Sequence, residues 1–189
     1  MKLVSTERHR RDERSWIAAI IYRLCQGFQH LGLVARLKAP DHAEVERWLP
    51  PSALPLFYTM STADQQHSLR VCRSLQAQGY NEQDLLAAAL LHDVGKAQGR
   101  VPFWTRPGIV LGKLLAPRWL KHNIVHPRDF TTHHMPDWQQ ALSYAWWHAD
   151  VGAELATQAG LSERAVLYIR THHQPDGPAA ALHRVDEVS

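Results

Sequence analysis

The sequence predicts an all-α protein, on three observations. Apolar residues recur at helical spacing through most of the 189 residues, and no stretch alternates apolar and polar in the way a half-buried strand does. Several of these segments also open on a Ser, Asp or Asn and close on a Gly, the signals that start and stop helices. The length suffices for one domain with a sizeable core and is short for two.

Composition narrows the class. A net charge of +3 and an isoelectric point near 9.0 make the chain mildly basic. That is too weak a field for a dedicated nucleic-acid binder, but it suits an anionic small molecule. The two cysteines, Cys25 and Cys72, lack CxxC neighbours and read as reduced core thiols, not as a disulfide framework. No run is long and apolar enough for a membrane span, and Arg23 interrupts the N-terminal apolar run, so neither an anchor nor a signal peptide is expected. A cytoplasmic protein is the expectation.

Residues 1–40 carry eight Lys or Arg against three acidic residues. Trp16, Ile17, Ile20, Ile21, Leu24 and Phe28 are spaced to share one helical face, so 14–30 reads as a basic amphipathic helix. Its apolar stripe docks on the main domain, on a second copy or other partner, or on an anionic membrane surface. Next, Ala39-Pro40-Asp41 breaks the pattern, with Asp41 as N-cap of a short helix to Trp48 or Leu49. Pro50, Pro51 and Pro55 make a stiff connection. A boundary near residue 60 then separates an N-terminal extension, 1–60, from a main domain, 61–189.

Ser61 or Thr62 caps a helix to about Gln78, with Leu69, Cys72 and Leu75 inward and Gly79 closing it. His67 lies one turn inside, beside the apolar stripe. Asn81 is the expected cap of the next helix, in which uncharged residues 85–91 run into His92 and Asp93, followed by Gly95 to let the chain turn and by Lys96. Residues 97–136 hold Pro102, Pro107, Pro117, Pro127 and Pro136, a short helix around Ile109 to Leu115, basic Lys113, Arg118 and Lys121, and the pair His133-His134. They read as a lid or a surface loop. Asp137 caps a helix through Trp147, and His148-Ala-Asp150-Val-Gly152-Ala-Glu154 reads as a new helix start. A helix from Ser162, with Glu163 in its first turn, ends at His172-His173, and a last helix from Ala179 carries Asp186.

A His and a carboxylate at the end of an apolar helix must be satisfied, by hydrogen bonds or by a metal ion. The order His67, then His92-Asp93, then Asp186 resembles the HD superfamily of metal-dependent phosphohydrolases. The similarity spans about 61–189 and is most specific at Leu90-Leu91-His92-Asp93-Val94-Gly95-Lys96, where the family commonly reads Leu-Leu-His-Asp-Ile-Gly-Lys. His148 and His172-His173 look like the further ligand sites of its dinuclear members.

That resemblance implies an HD-domain helical bundle with one or two divalent ions of Fe, Mn, Ni, Co or Zn. His67, His92, Asp93 and Asp186 would hold the first. Asp93 would bridge to a second held by His148, His172 and His173, because a carboxylate has two oxygens to share. The implied reaction is hydrolysis of a nucleotide or related phosphomonoester or diester by a metal-activated water. Lys96 would neutralise phosphoryl charge, His133 and His134 would contact substrate, and one of them or a second metal-bound water would protonate the leaving group. Two departures narrow the family. Gln174-Pro175-Asp176-Gly177-Pro178 stands where the cyclic-dinucleotide branch carries a Gly-Tyr-Pro element. Ala63 stands where members with a third metal carry a carboxylate. Two other functions share these ligands: a diiron oxygenase, and a regulatory or scaffold module that keeps metal without turnover and binds a partner through 14–30.

Overall fold

The computed structural model describes residues 36–98, 101, 105–132 and 135–189, which are helical with no strand among them. The stretch 14–30, with Cys25, and the pair His133-His134 lie outside the described residues. Packing divides the chain into two compact units, Met1–Val34 and Ala35–Ser189. Among the described residues the second unit contains α1 (Ala39–Trp48), α2 (Leu54–Thr59), α3 (Thr62–Ala77), α4 (Gln83–Leu91), α5 (Gly95–Gln98), α6 (Thr105–Leu115) and α7 (Pro117–Asn123). A 3₁₀ segment, Pro127–Thr132, precedes α8 (Asp137–Gln158), α9 (Glu163–Thr171) and α10 (Ala180–Asp186).

The centre is α4. Every residue from 85 to 91 is buried, and a helix that is apolar on all sides has no face to give to water. It packs against α3, α9 and α1, while α8 packs on α9 and α5, and α10 lies on α3. The helices that surround α4 are amphipathic: α3 buries Leu69, Val71, Cys72 and Leu75 and exposes Arg70 and Arg73.

The boundary expected near residue 60 is not where the packing divides. Val45, Trp48, Leu49, Ala53, Phe57 and Met60 belong to the same buried cluster as α3 and α4. Polar ties reinforce the join: Arg73 on α3 donates to Asp41 and Glu44 on α1, each at 2.7 Å, and the Gln83 amide donates to the Trp48 carbonyl at 2.5 Å.

Several helix ends follow the predicted chemistry. The Ser61 hydroxyl accepts from the Asp64 N–H at 3.2 Å, and the Ser162 hydroxyl accepts from the Ala165 N–H at 3.0 Å. After α3, Gly79 takes φ +91°, which lets the Tyr80 N–H reach back to the Leu75 carbonyl at 3.1 Å. Four expectations need correction. Asp41 is not a cap but sits inside α1, where its carboxylate accepts from the Lys38 N–H at 2.7 Å. Glu82, not Asn81, precedes α4, and it makes no side-chain cap bond. The N-cap of α8 is Pro136, so Asp137 is already its first helical residue.

The fourth correction is the largest: α8 does not break at His148 but runs unbroken for 22 residues, about 33 Å. Gly152 inside it faces Gly95, and it is this crossing, not a turn, that requires a glycine at position 95. A Cβ on Gly95 would stand 2.1 Å from the His148 carbonyl oxygen and 2.9 Å from the Gly152 nitrogen. The absent side chain is what lets α5 lie against α8 and brings the Asp93 turn beside His148. Among the described residues no helix is long and apolar enough to cross a membrane.

Candidate metal centre

Five elements deliver side chains to one point. His67 comes from the first half of α3, and His92 and Asp93 from the turn that ends α4. His148 lies midway along α8, His172 and His173 follow α9, and Asp186 is the last residue of α10. Three of these positions are helix C-termini, where the partial negative charge of unpaired carbonyls favours a cation.

Ring orientation is fixed by backbone. His92 Nδ1 lies 2.9 Å from the Ala89 carbonyl, His148 Nδ1 2.8 Å from that of Ala145, and His172 Nδ1 2.7 Å from that of Ile169. A carbonyl only accepts, so each Nδ1 carries the proton and donates. With Nδ1 spent on the backbone, each ring turns Nε2 to the centre, and in its neutral form that is the tautomer that binds metals. His92 and His172 are fully buried, and their Nε2 atoms have no hydrogen-bond partner. A buried acceptor left empty costs on the order of 1–3 kcal/mol, so these two nitrogens point to a missing partner.

Candidate ligand atoms fall in two groups, each within 4.8 Å internally: His67, His92 and Asp93, and His148, His172 and His173. Asp186 joins the first group, with Oδ1 at 2.8 Å from His67 Nε2 and 3.4 Å from His92 Nε2. In the second group His148 and His173 bring their Nε2 atoms to 2.9 Å. Two donors about 2.1 Å from one ion are about 3.0 Å apart at a right angle and about 3.4 Å apart at a tetrahedral one. The observed separations span that interval. Asp93 faces both groups: Oδ2 is 3.6 Å from His92 Nε2, and Oδ1 is 3.5 Å from His148 Nε2. Neutral imidazoles with carboxylates suit divalent transition metals, and the residues present fit one or two such ions.

The electrostatics separate the two groups. Burial works against a charge on His92, but Asp93 and Asp186 outweigh it and raise its pKa. Burial likewise opposes ionisation of Asp186, yet the His67 hydrogen bond and neighbouring His92 hold its carboxyl well below the usual carboxylate range. In the other group Asp93 offsets burial only in part. Burial pushes His172 down to about 3, and burial together with the Lys96 ammonium lowers His148 and His173. At neutral pH those three rings are neutral; without an ion His148 Nε2 accepts from His173 Nε2–H.

Lys96 is not a solvated surface lysine. Its side chain is 11 % exposed, and its ammonium pairs with Asp93 Oδ1, near enough to act on His148 and His173. His133 and His134 lie outside the described residues. Sequence reasoning missed His183, whose Nδ1 donates to the His172 carbonyl at 3.0 Å and ties α10 to the end of α9. Its position three residues before Asp186, on the same helix face, was the available signal. It also missed the ion pair of Arg128 with Glu154. A groove of about 270 Å³ lined by Trp48, Gln83, Leu161 and Ala165 shares no lining residue with the centre.

No family model matches this sequence, and no curated protein or solved structure matches it.

Proposed function

We propose that this chain is a metal-dependent phosphohydrolase of the HD type, acting on a small anionic phosphate ester such as a nucleotide or related monoester or diester. The observation that carries the reading is the pair of buried Nε2 atoms, on His92 and His172, that face carboxylates and imidazoles with no hydrogen-bond partner. Support also comes from the two-sided position of Asp93 between the ligand groups.

His67, His92, Asp93 and Asp186 would hold one ion, and His148, His172 and His173, with Asp93 shared, a second. Fe, Mn, Ni, Co or Zn bound there would supply Lewis acidity to a phosphoryl oxygen and lower the pKa of water. The chain's own residues do the rest. The three backbone-bonded imidazoles keep their lone pairs aimed without reorganisation. Lys96 sets a fixed positive charge beside Asp93, where an incoming phosphoryl group gains most from it in the transition state. His133 and His134 are the proposed substrate contacts, with proton donation to the leaving alkoxide as their role.

The test combines metal content with turnover. Protein purified without chelator is assayed for bound metals, then for phosphate release across monoesters, diesters and nucleotides under each candidate metal. Hydrolysis that is lost with Asp93→Asn supports the reading. A protein that binds metal but cleaves no ester overturns it, as does one that consumes oxygen when loaded with iron and given a polyol or phosphonate.

A further inference from the structure

From Val94 to Arg128 the chain holds seven Lys or Arg and no Asp or Glu. Much of that basic stretch folds as α6 and α7, and apolar side chains there face water. Val110, Leu111, Leu114 and Leu115 are 44 %, 51 %, 57 % and 72 % exposed. Their spacing lays all four along one side of α6. The helix is attached by its other side: Gly112 lies against Leu120 of α7, and the Lys113 ammonium sits 4.5 Å from the ring centre of Trp146 on α8. Trp119 on α7 and Trp138 at the start of α8 stack at 6.0 Å with an interplanar angle of 9° and remain 53 % and 41 % exposed. Lys113, Arg118 and Lys121 are exposed on the same two helices.

We infer that the outer side of α6 and α7, with the Trp119–Trp138 pair, docks this protein on an anionic lipid surface. Charge selects the occupant. An apolar helix face alone fits any apolar partner, but leucines and indoles beside the exposed cations Arg118 and Lys121 match the boundary between acyl chains and acidic headgroups. Indole rings prefer that layer because they are apolar bodies with one polar N–H. Asp137, next to Trp138, sits at the edge of this face and is exposed. The consequence for the centre is a distance: from Trp138 to His148 along α8 is about 15 Å, so docking keeps the candidate metal ligands within about that distance of the docked indoles. This inference stands apart from the phosphohydrolase reading, because no residue of the lipid face is a proposed ligand.

The experiment is vesicle co-sedimentation of the full chain with phosphatidylcholine alone and with phosphatidylcholine plus phosphatidylserine. Binding to the acidic vesicles, weakened by added salt, is the expected result. Leu114→Asp with Leu115→Asp is expected to lower partitioning by about tenfold or more, from the lost apolar insertion. Arg118→Glu with Lys121→Glu is expected to do the same through charge, with a shallower salt dependence. These positions are on the surface, and unchanged far-ultraviolet circular dichroism checks that each variant is folded. Failure of the wild type to bind acidic vesicles overturns the inference. So does binding that both variants retain, which would assign it to residues 14–30. A wild-type dimer that Leu114→Asp with Leu115→Asp dissociates, without vesicle binding, also overturns it and makes this face an interface between copies.

Discussion

At the scale of the residue, the site depends on which ring nitrogen is spent on the backbone. His92, His148 and His172 each give Nδ1–H to a carbonyl three residues earlier, so the fold itself chooses the tautomer and the aim of Nε2. Asp186 contributes differently, as charge held at the mouth of the first group by His67. Asp186→Asn keeps the shape and removes the charge. Metal affinity of that group should fall by about a hundredfold, read by competition with a chromophoric chelator, because loss of even an outer-shell partner costs ten- to a hundredfold. Lys96→Met should separate chemistry from binding. Metal content stays, and kcat falls by about a hundredfold, as expected for a removed group that stabilises transition-state charge. A Lys96→Met protein with unchanged kcat on the best ester would return Lys96 to a purely structural role beside Asp93.

At the scale of the element, the close crossing of α5 and α8 positions Asp93 and Lys96 against His148. Gly95→Ala forces a methyl group onto the His148 carbonyl, and the clash is with backbone, which cannot rotate away. A loss of about 3 kcal/mol is expected in urea titration, with metal binding weakened more at the three-histidine group than by the stability change alone. Equal stability in Gly95→Ala would mean the two helices can part without harm to the site. The glycine itself was legible in the sequence, but its purpose was not, since the partner backbone lies more than fifty positions away. Local signals served better where the physics is local. Ser61, Gly79 and Ser162 are helix punctuation, and residues 85–91 announce a buried helix by having no polar face. The missed pieces have equally physical reasons. Pro117 suggested a loop, yet proline at the first turn of a helix gives up only an N–H that has no helical partner, and α7 starts there. The polar run His148, Asp150 and Glu154 suggested a restart, whereas α8 passes through it because His148 is itself buried, with Val151, Gly152, Ala153 and Ala156, where the helix packs on α5 and α9. The candidate ligand residues were legible because their types and order resemble a known pattern. Their meeting at one point was not legible, because it depends on packing between helices.

At the scale of the whole molecule, a core built around neutral buried imidazoles links stability to pH. His172 holds a pKa of about 3 in the folded metal-free protein because burial opposes its charge, against about 6.5 in an unfolded chain, and His148 and His173 shift the same way. Between those values the unfolded chain binds more protons than the folded one. The stability from these rings is therefore complete above about pH 6.5 and drains away as pH falls below it, for His172 towards about 3. His92 works in the opposite sense: its raised pKa adds stability below about pH 6.5, which is lost as pH rises through the folded value. Asp186, held low, adds stability above the ordinary carboxylate range and loses it only in stronger acid. His172 by itself loses about 2 kcal/mol of stability between neutral pH and pH 5, and His148 and His173 act in the same direction. Thermal melts of chelator-treated protein should show Tm falling steadily over that interval. Added metal should raise Tm most at neutral pH, where the second group's rings are already deprotonated, and by less as acid competes for the same Nε2 lone pairs. A metal-free melting temperature that is flat from pH 7 to pH 5 would mean that the rings of His148, His172 and His173 are hydrated, and that the buried centre relaxes open when no cation fills it.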